Sequence, residues 1–427
     1  MNIGILIIVF ALMFFLRSPW TGTFSHPTQS TSLAFGFIMI FAFLLGKSVN
    51  KLKVPQITGF ILAGIICGPF VLKMLTAGEV EDLQLLDGLA LSLIALTAGG
   101  EMDRHKLKGE KKAIFSLVLF QTVAIIGGFI LFGLVGRVFF PFFAGKTGPQ
   151  ILAMTILLGS LATATSPSTT IAVMTEARAK GRYTEILLST AVVKDFIVII
   201  LFAFSLSVAK SLLFPTEAFD TSFLLGILAE IGGSLLLGGI VGAGIILYLR
   251  YIRKEITIFI LGIAFFSYQI SESFGLHALL VCLLAGFLVK NFSSHGESLI
   301  SAIERSSLPV FVIFFAISGA SINIQALERN WALALILVIW RGFLKFAGTY
   351  AGGQLAGEDA VVRRKSWSGF ISQAGVALGM AIIIERTFPS WGVEFKALVL
   401  ALIGINQIIG PILLQRFLDN VGEAGKK

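Results

Sequence analysis

The strongest constraint on this chain is the recurrence, from end to end, of apolar stretches long enough to cross a hydrocarbon core of roughly 30 Å, with short charged loops between them. Reading them off gives about fourteen segments: Ile3–Leu16, Ser32–Leu45, Val54–Leu75, Leu83–Ala98, Ala113–Phe140, Ile151–Met174, Thr184–Ala209, Phe223–Leu249, Glu255–Ile270, Phe274–Val289, Leu308–Ile322, Trp331–Ala356, Ser366–Ile384 and Val393–Gln415. With 56% hydrophobic and 13% charged residues, the chain cannot clothe a water-soluble core in polar surface. The predicted fold class is an all-α polytopic membrane protein.

Lys and Arg in alternate loops set the orientation. Roughly 22 of the 33 fall on the side that holds both ends, about 8 on the other. Both termini are therefore expected in the cytoplasm, and the protein in the cell inner membrane. The net charge of +9 is dispersed over many loops, so it reads as a topology signal and predicts no nucleic-acid partner. Met1 to Leu16 lacks a basic n-region and a small-residue cleavage pattern, which predicts a retained helix. Cys67 and Cys282 both lie inside apolar segments and are expected to pack as small hydrophobes. His26, His105, His277 and His295 fall in or near loops or helix ends, so no nucleophile–base pair presents itself and an enzyme is not expected.

A membrane helix hides its backbone polar groups, so a span interrupted by Pro, Gly and hydroxyl residues needs a cavity, a side chain or a ligand to satisfy the groups set free. The sixth segment breaks this way at Gly159-Ser160-Leu161-Ala162-Thr163-Ala164-Thr165-Ser166-Pro167-Ser168-Thr169-Thr170, where Pro167 removes a donor and predicts a kink or an unwound turn. A hydroxyl-rich packing face with a proline kink is the plainer reading. The thirteenth segment repeats the pattern more weakly from Gly369 through Gln373 and Gly375 to Gly379. One interrupted span in each half points to an inverted-repeat transporter with its site near the midplane. The expected organisation is an extra helix in residues 1–31, a six-helix repeat in 32–209, a linker helix in 210–254, a second six-helix repeat in 255–417, and a cytoplasmic tail in 418–427.

Ionisable residues deep in a span are costly, at least ~2.5 kcal/mol each, and are retained mainly for function. The deepest are Lys194 and Asp195 in the seventh segment and Arg341 and Lys345 in the twelfth, with Glu230 in the eighth; Asp87 lies near a helix end. A carboxylate in a dry cavity can hold a proton or a small cation but not comfortably both, which makes Asp195 the candidate ion-binding and metal-ligating (Na⁺ or K⁺) residue. Thr165 and Ser166 can offer neutral oxygens, and carbonyls freed at the break can complete a hard-cation shell. The competing reading is a buried ion pair of Asp195 with Arg341 or Lys345 that pins two helices. Arg341 and Lys345 share one helix face, and either can balance Asp195; Lys345 can instead snorkel to an interface.

Taken together, these residues resemble the monovalent cation:proton antiporter superfamily, on the branch of bacterial sodium/proton and potassium-efflux antiporters. The matching stretches are Val54-Pro55-Gln56-Ile57-Thr58-Gly59 through Ala63-Gly64 and Gly68-Pro69, then Ala98-Gly99-Gly100-Glu101-Met102-Asp103, then Ala164-Thr165-Ser166-Pro167, Asp195, Leu308-Pro309-Val310-Phe311, and Arg341 with Lys345. The resemblance implies two crossed, discontinuous helices in a mobile core, a separate scaffold that forms a homodimer, and alternating access. It departs at Lys194, where relatives usually carry Asp, Asn or Gln, and at Ser372-Gln373-Ala374-Gly375, where many carry an Arg. Lys194 leaves three readings open. It can take part in proton coupling, occupy the cation place and lock the site, or tip the cavity toward an anion; facing away from the site would remove all three. Gly422 to Lys427 leaves no length for a nucleotide-binding domain, so regulation is expected from pH at the site or from a separate subunit. The functional expectation is an exchanger of Na⁺ or K⁺ for H⁺ without a cofactor. The alternative is an antiporter-fold protein that serves as an anion carrier or sensor subunit.

Overall fold

A computed structural model describes residues 2–16, 27–52, 54–83, 85–104, 109–214, 221–322, 324–373 and 376–425. Among these residues the chain is helical, without strands: α1 Asn2–Leu16, α2 Pro27–Asn50, α3 Gln56–Cys67, α4 Ala77–Leu83, α5 Leu85–Glu101, α6 Lys111–Gly136, α7 Gly148–Thr163, α8 Pro167–Glu176, α9 Arg182–Leu213, α10 Thr221–Tyr251, α11 Ile256–Ser273, α12 Ala278–Phe292, α13 Gly296–Ala320, α14 Ile324–Ala356, α15 Ala360–Lys365, α16 Val376–Thr387 and α17 Gly392–Val421. Each predicted segment falls on one helix or one interrupted helix. By length and composition, 8 helices among the described residues are able to cross a membrane, or up to 10 if each bent pair is one span, so the count of fourteen is not confirmed on that criterion. The two bends, 42° between α4 and α5 and 58° within α13, were not legible as bends in the apolar pattern.

The helices gather into two compact units. The first comprises Met1–Asp103, Ile171–Glu176 and Ile231–Ile324; the second comprises Arg104–Thr170, Ala177–Glu230 and Gln325–Lys427. Each therefore draws on both halves of the chain.

Inside the first unit the helices approach through glycine. A Cβ on Gly64 of α3 would overlap the Ala316 carbonyl of α13, and one on Gly319 of α13 would overlap the Ile61 carbonyl of α3. The same reciprocal contact joins α5 and α12, where Gly99 faces the Leu283 carbonyl and Gly286 faces that of Leu96. Lipid supplies no hydrophobic drive between helices, so close backbone approach and dispersion hold such pairs together.

The second unit carries both interrupted spans. α7 begins with a capping box in which the Thr147 hydroxyl accepts from Gln150 N and the Gln150 side chain accepts from Thr147 N. It stops at Thr163, and α8 starts at Pro167, where a missing N–H at the first helical position removes no bond. The second interruption runs from a 3₁₀ turn at Ser366–Phe370 through non-helical Ile371, Ser372 and Gln373 to α16. Ala374 and Gly375, the latter a predicted break residue, lie outside the described residues.

Candidate functional site

Within the second unit the two interruptions meet. Ser166 N donates to Ser372 O at 2.9 Å, and the Thr165 hydroxyl donates to Phe370 O at 3.3 Å. The remaining hydroxyls of the first break sort by their partners. Ser160 and Thr163 bond back to carbonyls of their own helix, at Leu157 and Gly159. Ser166 Oγ accepts from Thr169 N at 3.2 Å, the geometry of an N-cap, and touches the hydroxyls of Ser168 and Thr169.

Stopping α7 at Thr163 leaves its last carbonyls without intrahelical donors, and these carry the partial negative end of the helix dipole. Arg341 of α14 takes them. Its Nε donates to Ala162 O at 2.7 Å, Nη2 to Ala164 O at 2.7 Å, and Nη1 to Ile371 O in the other break at 2.9 Å. One planar guanidinium thus joins both breaks, with geometry that an ammonium point charge cannot reproduce. Gln373 Nε2 adds a bond to Leu161 O at 2.9 Å, and its own oxygen accepts from Asn406 Nδ2 of α17 at 3.2 Å.

Lys345, one turn beyond Arg341, donates to Thr165 Oγ1 at 2.8 Å and reaches Ala164 O at 3.5 Å. It is fully buried, so it does not snorkel. Lys194 Nζ donates to Gln121 Oε1 of α6 at 2.7 Å, while Gln121 Nε2 donates to Thr349 Oγ1 of α14 at 2.9 Å. Lys194 and Lys345 are neighbours of like charge, and the Phe370 ring lies 5.7 Å from the Lys194 nitrogen. Lys194 therefore turns into the cationic cluster.

Asp195, the next residue along α9, is only partly buried, and no hydrogen bond or ion pair joins it to any described residue. The ion pair with Arg341 or Lys345 weighed from sequence is absent among the described residues. The freed carbonyls of Ala162 and Ala164 both accept from Arg341. Three buried oxygens on these elements, Thr190 Oγ1, Ser372 Oγ and Asn406 Oδ1, take no hydrogen bond among the described residues and remain available as neutral acceptors.

The start of α9 is tied down away from the breaks. Gly181 precedes its first turn and has no side chain to cap it; Glu423, following α17, supplies the carboxylate, accepting from Tyr183 N at 2.8 Å and from Thr184 N at 2.6 Å. Arg182 pairs with Glu110 at 2.7 Å and with Glu358 at 2.7 Å. Nearby, partial burial pushes the Asp359 carboxyl up, but donation from Val362 N, the Tyr183 hydroxyl and Val361 N, with the charge of Arg182, holds it below its ordinary value.

Sequence reasoning did not single out Gln121, Thr349 or Asn406. An isolated amide in an apolar run, as at Phe120-Gln121-Thr122, was the available signal. Of the other candidates, Glu230 and Asp87 have no part in this cluster as described.

The sequence model described as sodium/hydrogen exchanger, transmembrane, matches residues 37–419. A probable Na⁺/H⁺ antiporter 3 of Methanocaldococcus jannaschii is 26% identical over 408 residues, covering 93% of this chain and 99% of its own length. The Na⁺/H⁺-K⁺ antiporter GerN of Bacillus cereus is 25% identical over 392 residues, covering 89% and 94%. Among solved structures, the sodium proton antiporter MjNhaP1 of M. jannaschii superposes with a TM-score of 0.71 at 20% identity, over 94% of this chain and 100% of that one.

Proposed function

The chain belongs to the transmembrane sodium/hydrogen exchanger family, and on that premise we propose that it exchanges Na⁺ or K⁺ for protons by alternating access, with Asp195 as the carboxylate that carries each in turn. The observation that carries this reading is the division of labour around the broken helices. Arg341 is spent on three carbonyls and Lys345 on a hydroxyl, whereas Asp195 has no partner among the described residues. A carboxylate left in that position inside a membrane is neutralised by a proton or by a small cation, and the two exclude one another. One carboxylate moves one charge per cycle, so the exchange is electroneutral. Neutral oxygens of the Thr190, Ser372 and Asn406 type suit a hard monovalent ion. Each of the three Arg341 nitrogens is already on a backbone carbonyl, which argues against the cluster as an open anion receptor.

In this reading the protein sits in the cell inner membrane with both termini cytoplasmic and functions as a homodimer. The decisive measurement is cation-driven proton movement in liposomes holding the purified protein, comparing Na⁺, K⁺ and choline. Na⁺ or K⁺ should move protons and choline should not, and Asp195→Asn should abolish the response. Persistence of exchange in Asp195→Asn would remove Asp195 from the mechanism.

A further inference from the structure

Lys194 stands beside the acid in sequence yet is held elsewhere in space. Its amine ends a short hydrogen-bonded series in which Thr349 Oγ1 receives Gln121 Nε2 and Gln121 Oε1 receives Lys194, while the neighbouring Lys345 is held by Thr165 Oγ1 in the first break. Gln121 is fully buried, and its amide has a fixed sense because the Lys194 ammonium, a donor only, takes the oxygen end and leaves the nitrogen to the Thr349 hydroxyl. The backbone of α14 comes close enough here that a Cβ on Gly348 would press on Gln121 Cα at 2.5 Å, so the amide has little room to leave.

We propose that Gln121, itself fixed by Thr349, is a tether that keeps the Lys194 amine off Asp195 and thereby sets how tightly the site takes its monovalent cation. This rests on the exchange reading above. Around Lys194, the other charged side chains of the cluster, Lys345 and Arg341, are of like sign, and among the described residues the amide oxygen of Gln121 is its one acceptor. Take that acceptor away and repulsion favours the carboxylate next door, which a flexible four-carbon stem is long enough to seek. An ammonium on Asp195 would compete with Na⁺ or K⁺ for the same charge. Gln121 would then be a positioning residue acting through Lys194, and the substitution of a basic residue at 194 would be tolerated because a glutamine on a different helix restrains it.

The test is cation-dependent thermal stabilisation of the purified full chain at one fixed pH, titrated with Na⁺ and with K⁺. Gln121→Met should raise the half-saturating cation concentration roughly ten- to hundredfold, the range to which loss of one charge-assisted hydrogen bond converts. Thr349→Val, which only frees the amide, should shift it less and in the same direction. Adding Lys194→Met to Gln121→Met should bring the value back to the parent's or below, a reversal that a packing defect at Gln121 cannot produce. Unchanged affinity in Gln121→Met, or weakened affinity that the double variant fails to restore, would overturn the tether. Should Gln121→Met fail to fold, Thr349→Val with and without Lys194→Met decides the matter on the same criterion. A parent whose unfolding ignores both cations, as that of Asp195→Asn should, would instead bring down the exchange reading, and the tether with it.

Discussion

The two units solve the same problem, helix against helix in lipid, with opposite chemistry. In the first, Gly64 with Gly319 and Gly99 with Gly286 remove side chains so that backbones touch. In the second, long polar side chains are fully buried: Arg341, Lys345, Lys194 and Gln121 fill the space and bond to backbone or to each other. Intact helices need only shape from their neighbours, because their own peptide groups are satisfied. Interrupted helices need donors, and the unit that contains both breaks imports them from α14, α17 and the breaks themselves.

This contrast is most easily broken at Arg341. Arg341→Met should orphan the carbonyls of Ala162, Ala164 and Ile371 and destabilise the protein by about 1–3 kcal/mol for each acceptor left unsatisfied. Arg341→Lys keeps the charge but not the fork, so thermal unfolding in detergent should show only partial recovery. Parent-like unfolding of Arg341→Lys would mean that charge alone holds the breaks together.

A smaller effect sharpens the other side of the comparison. Gly99→Val places methyl groups on the Leu283 carbonyl, and overpacking of this kind costs about 1–3 kcal/mol. The midpoint of unfolding should fall while the half-saturating cation concentration of the folded fraction stays at the parent value. A change in cation affinity without a change in stability would show that the first unit contributes more than packing.

The smallest effect concerns Asp359, whose side chain is 42% exposed. Its folded pKa lies below the ordinary Asp value of about 3.9, so its contribution is fully present above that value and is lost as pH falls through the lowered folded one. Asp359→Asn should therefore unfold more easily than the parent near neutrality, and the two should converge at acid pH. A gap that persists at acid pH would assign the effect to geometry rather than charge.

Much of the architecture was legible because its causes are written in side chains. Apolar runs predicted the helices, and Pro167 among hydroxyls marked the first break. What Arg341 would touch was not legible. Its spacing from Lys345 put both on one face, but every residue has a carbonyl, so nothing in the composition of Ala162-Thr163-Ala164 distinguishes an acceptor that needs a guanidinium from one that does not. Gln121 was missed for a related reason. A lone amide in an apolar helix has many partners open to it, and only the fold shows that Lys194 and Thr349 are the ones it meets.

The bond between Arg341 and Ala162 spans 179 residues of chain. At a synthesis rate of about 5–20 residues per second, the first broken helix is made roughly ten to forty seconds before the side chain that satisfies it. Throughout that interval the nascent protein has a gap in its backbone bonding and nothing of its own to close it. Completion of the second unit thereby waits on Gln325–Lys427, the stretch that brings both Arg341 and the second break.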